Sequence, residues 1–488
     1  MTASGSDARS EGRSIEDLSL RDLGPVHFLG IGGVGVSAVA RLYLAAGVEV
    51  SGTDAKDLPV LRELEAAGAR TFVGFKPRHV EGAETIVMSS AIRDDNPELV
   101  EARERGLRVL HRSEGLALLM KGREAVTVAG THGKTTTSSM ITTMLTKLGA
   151  DPSFAVGATV GGLGTNAAAG GGDVFVAEAD ESDGSFLNYE PSIAVVTNIE
   201  PDHLDHYGTP EAVAEAFEKH VQRVPEDGAV VVCLDDAGVA ELAQKVSAHG
   251  HGPKVVGYGF TPDADVRVSR MQPQGTGMTA KVTTRKGVAQ LSLPFPGAHN
   301  VLNASAAIAV GVLIGFDPQE CADALADFKG ASRRFDFKGE ARGVRVYDDY
   351  AHHPTEVTAA LGAARDVAED GRVHAVFQPH LFSRTRDFAH GFADAVSLAD
   401  TVTLLPIYPA REDPIPGVTT QLIADHVGVE HALVDAEDVP ARMAELARPG
   451  DVILTLGAGD VTALGPQIVE EIAEHGFDDA ESGESYNG

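Results

Sequence analysis

The segment Gly130-Thr131-His132-Gly133-Lys134-Thr135-Thr136 directly follows an apolar run at residues 125–129. A strand, a glycine-rich turn and a helix that starts with lysine and threonine are the layout of a phosphate-binding loop. Glycines let backbone N–H groups point at phosphate oxygens, and the helix amino terminus adds partial positive charge. Lys134 supplies a full charge, and Thr135 is placed to bind the Mg²⁺ that accompanies a nucleotide. Position 128 is Val rather than Gly, so the motif has the shorter form G-x-x-G-K-T.

Strand-like apolar runs alternate with helical patterns on both sides of this loop, which is typical of parallel sheets with helical crossovers. We predict an α/β fold of three domains. The first is Rossmann-like, the second is a P-loop ATPase-like domain whose mostly parallel sheet has a small antiparallel addition, and the third is again Rossmann-like. The predicted boundaries are 23–121, 122–330 and 331–475, between tails at 1–22 and 476–488 that we expect to be disordered.

Composition limits the class of protein. The chain has 488 residues, of which 43% are hydrophobic, and a formal net charge of −31. That charge argues against nucleic acid as a partner, because phosphate backbones are bound by basic surfaces. Two isolated cysteines are too few for a disulfide framework or a zinc site. The amino-terminal segment has no secretory signal pattern, and the longest smooth apolar run, residues 304–315, is too short to cross a bilayer, so we expect a soluble cytoplasmic protein without membrane insertion.

A second glycine-rich turn, Gly30-Ile31-Gly32-Gly33-Val34-Gly35, lies between a predicted strand and a predicted helix, and Asp54 ends the next strand. The pattern G-x-G-x-x-G predicts a diphosphate site, with the carboxylate available to ribose hydroxyls. The same backbone contacts would bind the diphosphate of NAD or of any other nucleoside diphosphate, so the pattern alone does not identify the ligand.

Acidic residues follow two predicted strands of the central segment. Glu178-Ala179-Asp180-Glu181-Ser182-Asp183 comes after the strand at 174–177, and residues 198–206 follow the next strand in the same way. Carboxylates at strand ends beside a phosphate loop predict a Mg²⁺ site. His203 is included although histidine is an unusual magnesium ligand.

Further candidates lie near the second predicted boundary and beyond it. His299, Asn300 and Asn303 start a helix, where amides either bind a base edge or cap the helix. Other candidates follow strands of the third segment or stand at its boundary: Arg334, Asp349, His353, Arg384 and Arg386. Taken singly, each is more typical of a solvated charge than of a site.

Together these motifs resemble the Mur ligase family over about residues 25–475. The resemblance rests on an ordered series: Gly30-Ile31-Gly32-Gly33, Ser89-Ser90-Ala91-Ile92, the loop at 130–136, the acidic run at 178–183, and Asp348-Asp349-Tyr350-Ala351-His352-His353-Pro354-Thr355-Glu356. It implies a ligase of peptidoglycan synthesis with ATP and Mg²⁺ as cofactors. The implied substrates are UDP-N-acetylmuramate and L-alanine, which would be joined through an acyl phosphate by a monomer or weak homodimer.

The resemblance also implies roles for single residues. The UDP-sugar would bind Gly30, Ile31, Gly32, Gly33, Val34, Gly35, Asp54, Ser89, Ser90 and Arg386. ATP would bind Gly130, Thr131, His132, Gly133, Lys134, Thr135, Thr136, His299, Asn300, Asn303, Arg334 and Asp349. Magnesium would bind Thr135, Glu178 and His203, and the catalytic set would be Lys134, Glu178, His203, His353 and Arg384.

Other functions compete with this interpretation. An NAD-dependent dehydrogenase would use the first glycine turn but would leave the phosphate loop without a role. A nucleotide switch would use the phosphate loop alone. A sister ligase that attaches a recycled murein peptide, or a later residue, to the same sugar shares most of the motifs. A folate-type glutamate ligase shares the central fold but would lack the first glycine turn.

Overall fold

The computed structural model describes residues 17–248, 252–410 and 412–474. Three sheets follow one another along the chain. The fold divides into two compact units. The first contains the chain up to Ser269 with Lys281–Gln290 and Leu302–Leu325, and the second contains Arg270–Ala280, Leu291–Val301 and the chain from Ala326. The sequence-based domain boundaries remain predictions.

The first sheet is parallel, with strand order β3-β2-β1-β4-β5. Chain order reverses beside β1, and such a switch point opens a crevice at the carboxyl ends of the strands, where the first glycine turn lies. Its elements are β1 (Val26–Leu29), α1 (Val34–Ala45), β2 (Val50–Asp54), α2 (Pro59–Ala66), β3 (Arg70–Val73), β4 (Thr85–Met88), α3 (Pro97–Glu104), β5 (Arg108–His111) and α4 (Arg112–Met120).

The second sheet has ten strands in the order β15-β14-β13-β12-β11-β10-β6-β9-β7-β8. Strands from β13 to β7 pair in parallel, and β8 is antiparallel to β7. Its elements are β6 (Glu124–Ala129), α5 (Lys134–Lys147), β7 (Ser153–Val160), β8 (Thr165–Ala168), β9 (Val174–Glu178), β10 (Ile193–Val196), α6 (Leu204–Tyr207), α7 (Pro210–Val221), β11 (Ala229–Cys233), α8 (Ala237–Ala248), β12 (Lys254–Gly259), β13 (Val266–Gln274), β14 (Gly277–Thr284), β15 (Gly287–Leu293), α9 (Ala298–Ile314) and α10 (Pro318–Leu325).

The third sheet has the order β16-β17-β21-β18-β19-β20, with only β16 antiparallel to its neighbour among these pairings. Its elements are β16 (Asp336–Ala341), β17 (Val344–Asp349), α11 (Pro354–Ala368), β18 (Val373–Phe377), α12 (Phe382–Val396), β19 (Thr401–Leu404), α13 (Gln421–Ala424), β20 (Glu430–Leu433), α14 (Val439–Leu446), β21 (Val452–Leu456) and α15 (Leu464–Glu474).

These sheets confirm the predicted α/β class. The antiparallel addition is also confirmed, because β13, β14 and β15 are sheet neighbours joined by two-residue turns, a connection that only antiparallel strands allow. Its central strand alternates buried and partly exposed residues, which fits a sheet with one face on the core.

Residues 17–22, which we predicted to belong to a disordered tail, are structured. Residues 1–16 lie outside the described residues, but Leu18 is buried in the core of the first unit and Leu20–Asp22 form a 3-10 turn. Arg108 Nη1 also donates to the Asp22 carbonyl at 2.8 Å. The apolar side chains Leu18 and Leu23 explain why this segment packs although its composition is polar. The predicted acidic tail lies outside the described residues.

Among the described residues, no helix is both long enough and apolar enough to cross a membrane.

Candidate active site

The phosphate-binding loop follows β6 and requires glycine at two positions. Gly130 has φ 138°, and a Cβ added there would lie 2.0 Å from Thr197 Oγ1. Gly133 has φ 80°, and its Cβ would lie 3.0 Å from Asn303 Oδ1. Both backbone conformations are ones that L side chains rarely adopt. Asn303, which the sequence indicated as a candidate by motif alone, therefore lies beside the loop.

Residues after the neighbouring strand β10 hold the loop in shape. The His132 amide donates to Asn198 Oδ1 at 2.7 Å, and Asn198 Nδ2 donates back to the His132 carbonyl at 3.0 Å. Thr197 Oγ1 donates to the same carbonyl at 2.5 Å. The sequence indicates no role for Thr197, and it indicates Asn198 only as the first residue of the candidate segment 198–206. Their contacts depend on β10 lying next to β6, which the strand order shows.

Lys134 starts α5, and its ammonium lies at the loop. Nζ donates to the carbonyls of Gly130 at 2.6 Å and Thr131 at 3.1 Å, and to Glu181 Oε1 at 2.9 Å. Burial acts to lower the pKa of Lys134, but the carboxylates of Glu181 and Asp180 outweigh it and raise that pKa. The lysine is therefore a charged group at neutral pH.

Glu181 is a site residue to which the motifs assigned no specific role. It is buried, and its Oε2 has no hydrogen-bond partner within the described part of the chain. Burial raises the pKa of Glu181 to about 7, and the Lys134 charge opposes the rise. The Tyr207 hydroxyl donates to the Glu181 carbonyl at 2.5 Å, which fixes the backbone at this point. Four acidic residues share this run, so sequence alone does not single out the one that meets Lys134.

Two of the three predicted metal ligands are in direct contact. Thr135 Oγ1 donates to Glu178 Oε1 at 3.1 Å, and Glu178 Oε2 accepts from the Gly157 amide at 2.8 Å. A hydroxyl and a carboxylate are donors that Mg²⁺ prefers, so this pair fits that ion. His203 lies at the amino end of α6 with φ 53°, and its Nε2 is 3.8 Å from Glu181 Oε1 and 3.7 Å from Asp202 Oδ2.

The first glycine turn is closed by its own backbone and by β2. Gly30 has φ 72°, its amide donates to the Thr53 carbonyl at 2.8 Å, and the Gly33 amide donates to the Gly30 carbonyl at 3.0 Å. Asp54 braces this turn, because its Oδ2 accepts from the Gly32 amide at 2.9 Å and its Oδ1 accepts from the Lys56 amide at 3.1 Å. The carboxylate that we assigned to ribose hydroxyls therefore also has a structural role.

The acidic run after β9 contacts the elements of the first sheet. Ser90 Oγ donates to Asp183 Oδ2 at 2.9 Å, and Arg112 Nη2 donates to Asp180 Oδ2 at 2.8 Å. Ser89 contributes its carbonyl to a turn that ends at Ile92. The serines that the family resemblance assigned to the sugar nucleotide thus lie beside the acidic run of the phosphate site.

In the second unit, a separate cluster forms at the carboxyl end of β17. Asp349 accepts from the amides of Phe335 at 2.7 Å and Ala351 at 2.8 Å. Burial raises the pKa of Asp349 to about 6, while the charge of Arg334 lowers it. Arg334 lies over the ring of Tyr350, with its Nη1 3.9 Å from Glu356 Oε1. The structure therefore brings the candidates Arg334 and Asp349 together.

His353, Arg384 and Arg386 have different environments. His353 caps α11 by accepting from the Thr355 amide at 3.4 Å, and its ring packs edge-on against Phe388. Arg384 is buried on α12. Arg386 is 53% exposed on the same helix and forms a two-bond pair with Asp387. Arg386, a predicted UDP-sugar ligand, is thus a solvent-facing residue in this structure.

His299 and Asn300 lie in the first turn of α9. Burial lowers the pKa of His299 to about 4, so its ring is neutral at neutral pH. Asn300 Nδ2 donates to the Pro296 carbonyl at 2.7 Å. Of the two roles that the sequence left open for Asn300, this bond supports closing the helix start.

Comparison with known proteins identifies the family. Residues 25–124 match the model "Mur ligase family, catalytic domain", residues 128–311 match "Mur ligase middle domain", and residues 333–459 match "Mur ligase, glutamate ligase domain". A relative from Paenarthrobacter aurescens, named UDP-N-acetylmuramate–L-alanine ligase, is 59% identical over 453 residues, which are 93% of this chain and 98% of the relative. The chain belongs to the Mur ligase family.

Solved Mur ligases have the same fold. The UDP-N-acetylmuramate–alanine ligase of Thermotoga maritima has a TM-score of 0.76 and 29% identity, covering 92% of this chain and 99% of that one. A murein peptide ligase from Psychrobacter arcticus has a TM-score of 0.68 and 23% identity, with 92% of this chain and 99% of that one covered. At 23% identity, the similarity to the second structure shows only that the two chains share a fold.

Proposed function

We propose that this Mur ligase is a UDP-N-acetylmuramate–L-alanine ligase that acts in the cytoplasmic synthesis of peptidoglycan precursors. The observation that carries the proposal is the 59% identity to a relative of that name across 98% of its length. Residues 23–121 would bind the UDP-sugar and residues 122–330 would bind ATP. Residues 331–475 would admit the amino acid, and the molecule would be a monomer or weak homodimer.

The phosphate loop has the groups that phosphoryl transfer needs. The Lys134 ammonium, held at the loop carbonyls and Glu181, would receive the terminal phosphates of ATP. Thr135 and Glu178 would hold Mg²⁺, with His203 beside them, and the ion would neutralise phosphate charge. Catalysis of phosphoryl transfer is mostly positioning and charge stabilisation, which such fixed groups provide.

The reaction would proceed in two steps. A carboxylate oxygen of the sugar's lactoyl group attacks the γ-phosphorus, and ADP leaves with the electrons of the broken P–O bond. The neutral amine of alanine then attacks the acyl carbon to form a tetrahedral species. The C–O bond to phosphate breaks, inorganic phosphate leaves, and the nitrogen gives up one proton, which the departing phosphate can accept. The acyl phosphate must be kept from water, because hydrolysis would waste it.

The second unit provides polar groups for substrate binding. Arg384 and His353 would face the substrate carboxylate or the amino acid, while Arg334 and Asp349 would approach ATP. Buried cationic and imidazole groups suit a carboxylate ligand, because an anion can offset the cost of their burial. Arg386, which the resemblance assigned to the UDP-sugar, fits an anionic ligand less well, since its charge is paired with Asp387.

Phosphate release tests the proposal. The chain is incubated with MgATP, UDP-N-acetylmuramate and one acceptor at a time, namely L-alanine, glycine, L-serine or a murein tripeptide. Release that needs both the sugar nucleotide and L-alanine is the expected result. Release with the tripeptide alone would assign the chain to the sister ligases, and release with no acceptor dependence would contradict the ligase proposal.

A further inference from the structure

The acidic run at 178–183 contacts the phosphate loop and a helix of the first sheet through different carboxylates. Glu178 and Glu181 bind Thr135 and Lys134 of the phosphate loop. Asp180, one residue before Glu181, instead binds Arg112, which starts α4 of the first sheet. A six-residue segment thus connects the phosphate loop with α4 of the first sheet.

Arg112 also lies against the first glycine turn. A Cβ added to Gly35, the last glycine of that turn, would be 3.2 Å from Arg112 Nη1 and 3.6 Å from its Cζ. The guanidinium therefore packs on the amino-terminal end of α1, where an anion held by the turn would be bound. Its side chain is only 19% exposed, so little water screens a nearby charge.

Asp180 and its neighbour Glu181 hold one cation each: Asp180 Oδ2 accepts from Arg112 at 2.8 Å, and Glu181 Oε1 accepts from Lys134 at 2.9 Å. Burial acts to raise the pKa of Asp180, but the charges of Arg112 and Lys134 outweigh burial and lower it. Conversely, Asp180 is one of the carboxylates that raise the pKa of Lys134 and of Arg112. Because Asp180 and Glu181 are consecutive, an anion that displaces either Arg112 or Lys134 also displaces the segment that holds the other cation.

We propose that Asp180 is a positioning residue that couples the two nucleotide sites, so that a ligand on either glycine loop changes the affinity of the other loop for its own ligand. This inference rests on the proposed function, which supplies an anionic ligand for each loop. Linkage requires the effect to be reciprocal, because each ligand must change the other's affinity by the same factor.

The test is a pair of binding titrations by calorimetry. UDP-N-acetylmuramate is titrated into the chain with and without a saturating Mg²⁺ complex of an ATP analogue that does not transfer its γ-phosphate. The unaltered chain should show a difference of about fivefold or more between the two dissociation constants, in line with typical coupling energies. Asp180→Asn should reduce the difference to less than about twofold.

Control variants separate coupling from folding. Asp94→Asn removes an aspartate–arginine pair at 2.9 Å on the surface of the same unit and should leave the coupling unchanged. Because Asp180→Asn leaves a partly buried guanidinium without its carboxylate, the double variant Arg112→Met/Asp180→Asn removes both charges and should also lack coupling. Circular dichroism melts report whether each variant is folded.

The outcomes are distinct. No binding of the sugar nucleotide to the unaltered chain would overturn the proposed function and this inference together. Binding of both ligands without coupling, or coupling that persists in the folded double variant, would overturn this inference alone.

Discussion

Gly130 combines a left-handed backbone with a neighbour that leaves no room for a side chain. Its φ is 138°, and a Cβ would lie 2.0 Å from Thr197 Oγ1, which also supports the His132 carbonyl. Gly130→Ala should therefore displace Thr197 and distort the loop. We expect ATP turnover to fall by at least about a hundredfold, since misplacement by about 1 Å costs that much. ADP formation under saturating substrates measures it.

The matched control is Gly315→Ala. Gly315 also has a strongly positive φ, 123°, but a Cβ there would meet nothing within 4 Å. This variant carries a comparable backbone strain, about 1–3 kcal/mol, without the clash. Equal loss of ADP formation in both variants would show that strain and not contact with Thr197 is responsible.

Lys134→Ala tests the charge at the loop directly. Without the ammonium, nothing at that position offsets the terminal phosphates, so ADP formation should become undetectable. The sugar nucleotide should still bind in the absence of ATP, as measured by calorimetry, because the first glycine turn has its own backbone donors. Loss of both would indicate misfolding or a different site.

At the scale of elements, a buried polar network joins β1, β2 and α3 below the first glycine turn. Glu98 is fully buried. Its carboxylate is hydrogen-bonded to the ring nitrogens of His27 at 3.1 Å and His79 at 2.8 Å, and it accepts from the Lys76 amide at 2.9 Å. Burial acts to raise the pKa of Glu98, but hydrogen bonds from His27, the Lys76 amide and Thr53 of β2 outweigh burial and lower it. A depressed carboxyl pKa stabilises the fold above the unfolded pKa, and this stability is lost as pH falls through the folded value.

Glu98→Gln should therefore lower the free energy of unfolding at pH 7 by about 1–3 kcal/mol, because an amide oxygen replaces a charged acceptor. The loss of stability as pH falls into the acidic range should be smaller in the variant than in the unaltered chain. Thermal unfolding midpoints between about pH 7 and pH 4 measure both effects. Glu101→Gln, which removes an exposed pair with Arg105 on the same helix, is the control and should change neither.

Elements also show why part of the structure was predictable. The phosphate loop depends on local sequence, because its glycines, lysine and threonine lie within seven residues. The contacts of Thr197 and Asn198 with that loop depend on β10 lying beside β6, and sequence order does not determine strand order. The strand β20 was not predicted, because it is a polar edge strand with mostly exposed residues and lacks an apolar pattern. Similarly, the acidic run predicted a site but not which carboxylate meets which cation.

At the scale of the whole molecule, the net charge of −31 conflicts with the proposed substrates, which are also anions. Local cations and backbone N–H groups must attract the sugar nucleotide against a repulsive overall field. The Debye length is about 10 Å at 0.1 M salt. Salt therefore weakens the long-range repulsion more than it weakens contacts inside a partly buried site.

Raising monovalent salt from about 20 to about 150 mM at fixed free Mg²⁺ should therefore increase kcat/KM for UDP-N-acetylmuramate by about two- to fivefold. The KM for L-alanine, a zwitterion without net charge, should stay unchanged and is the internal control. A fall in kcat/KM for the sugar nucleotide would mean that the local cations of the site, and not the net charge, govern its approach. In that case, removing acidic charges far from the site should leave kcat/KM for the sugar nucleotide unchanged. If the field of the whole molecule governs the approach instead, the same substitutions should raise kcat/KM.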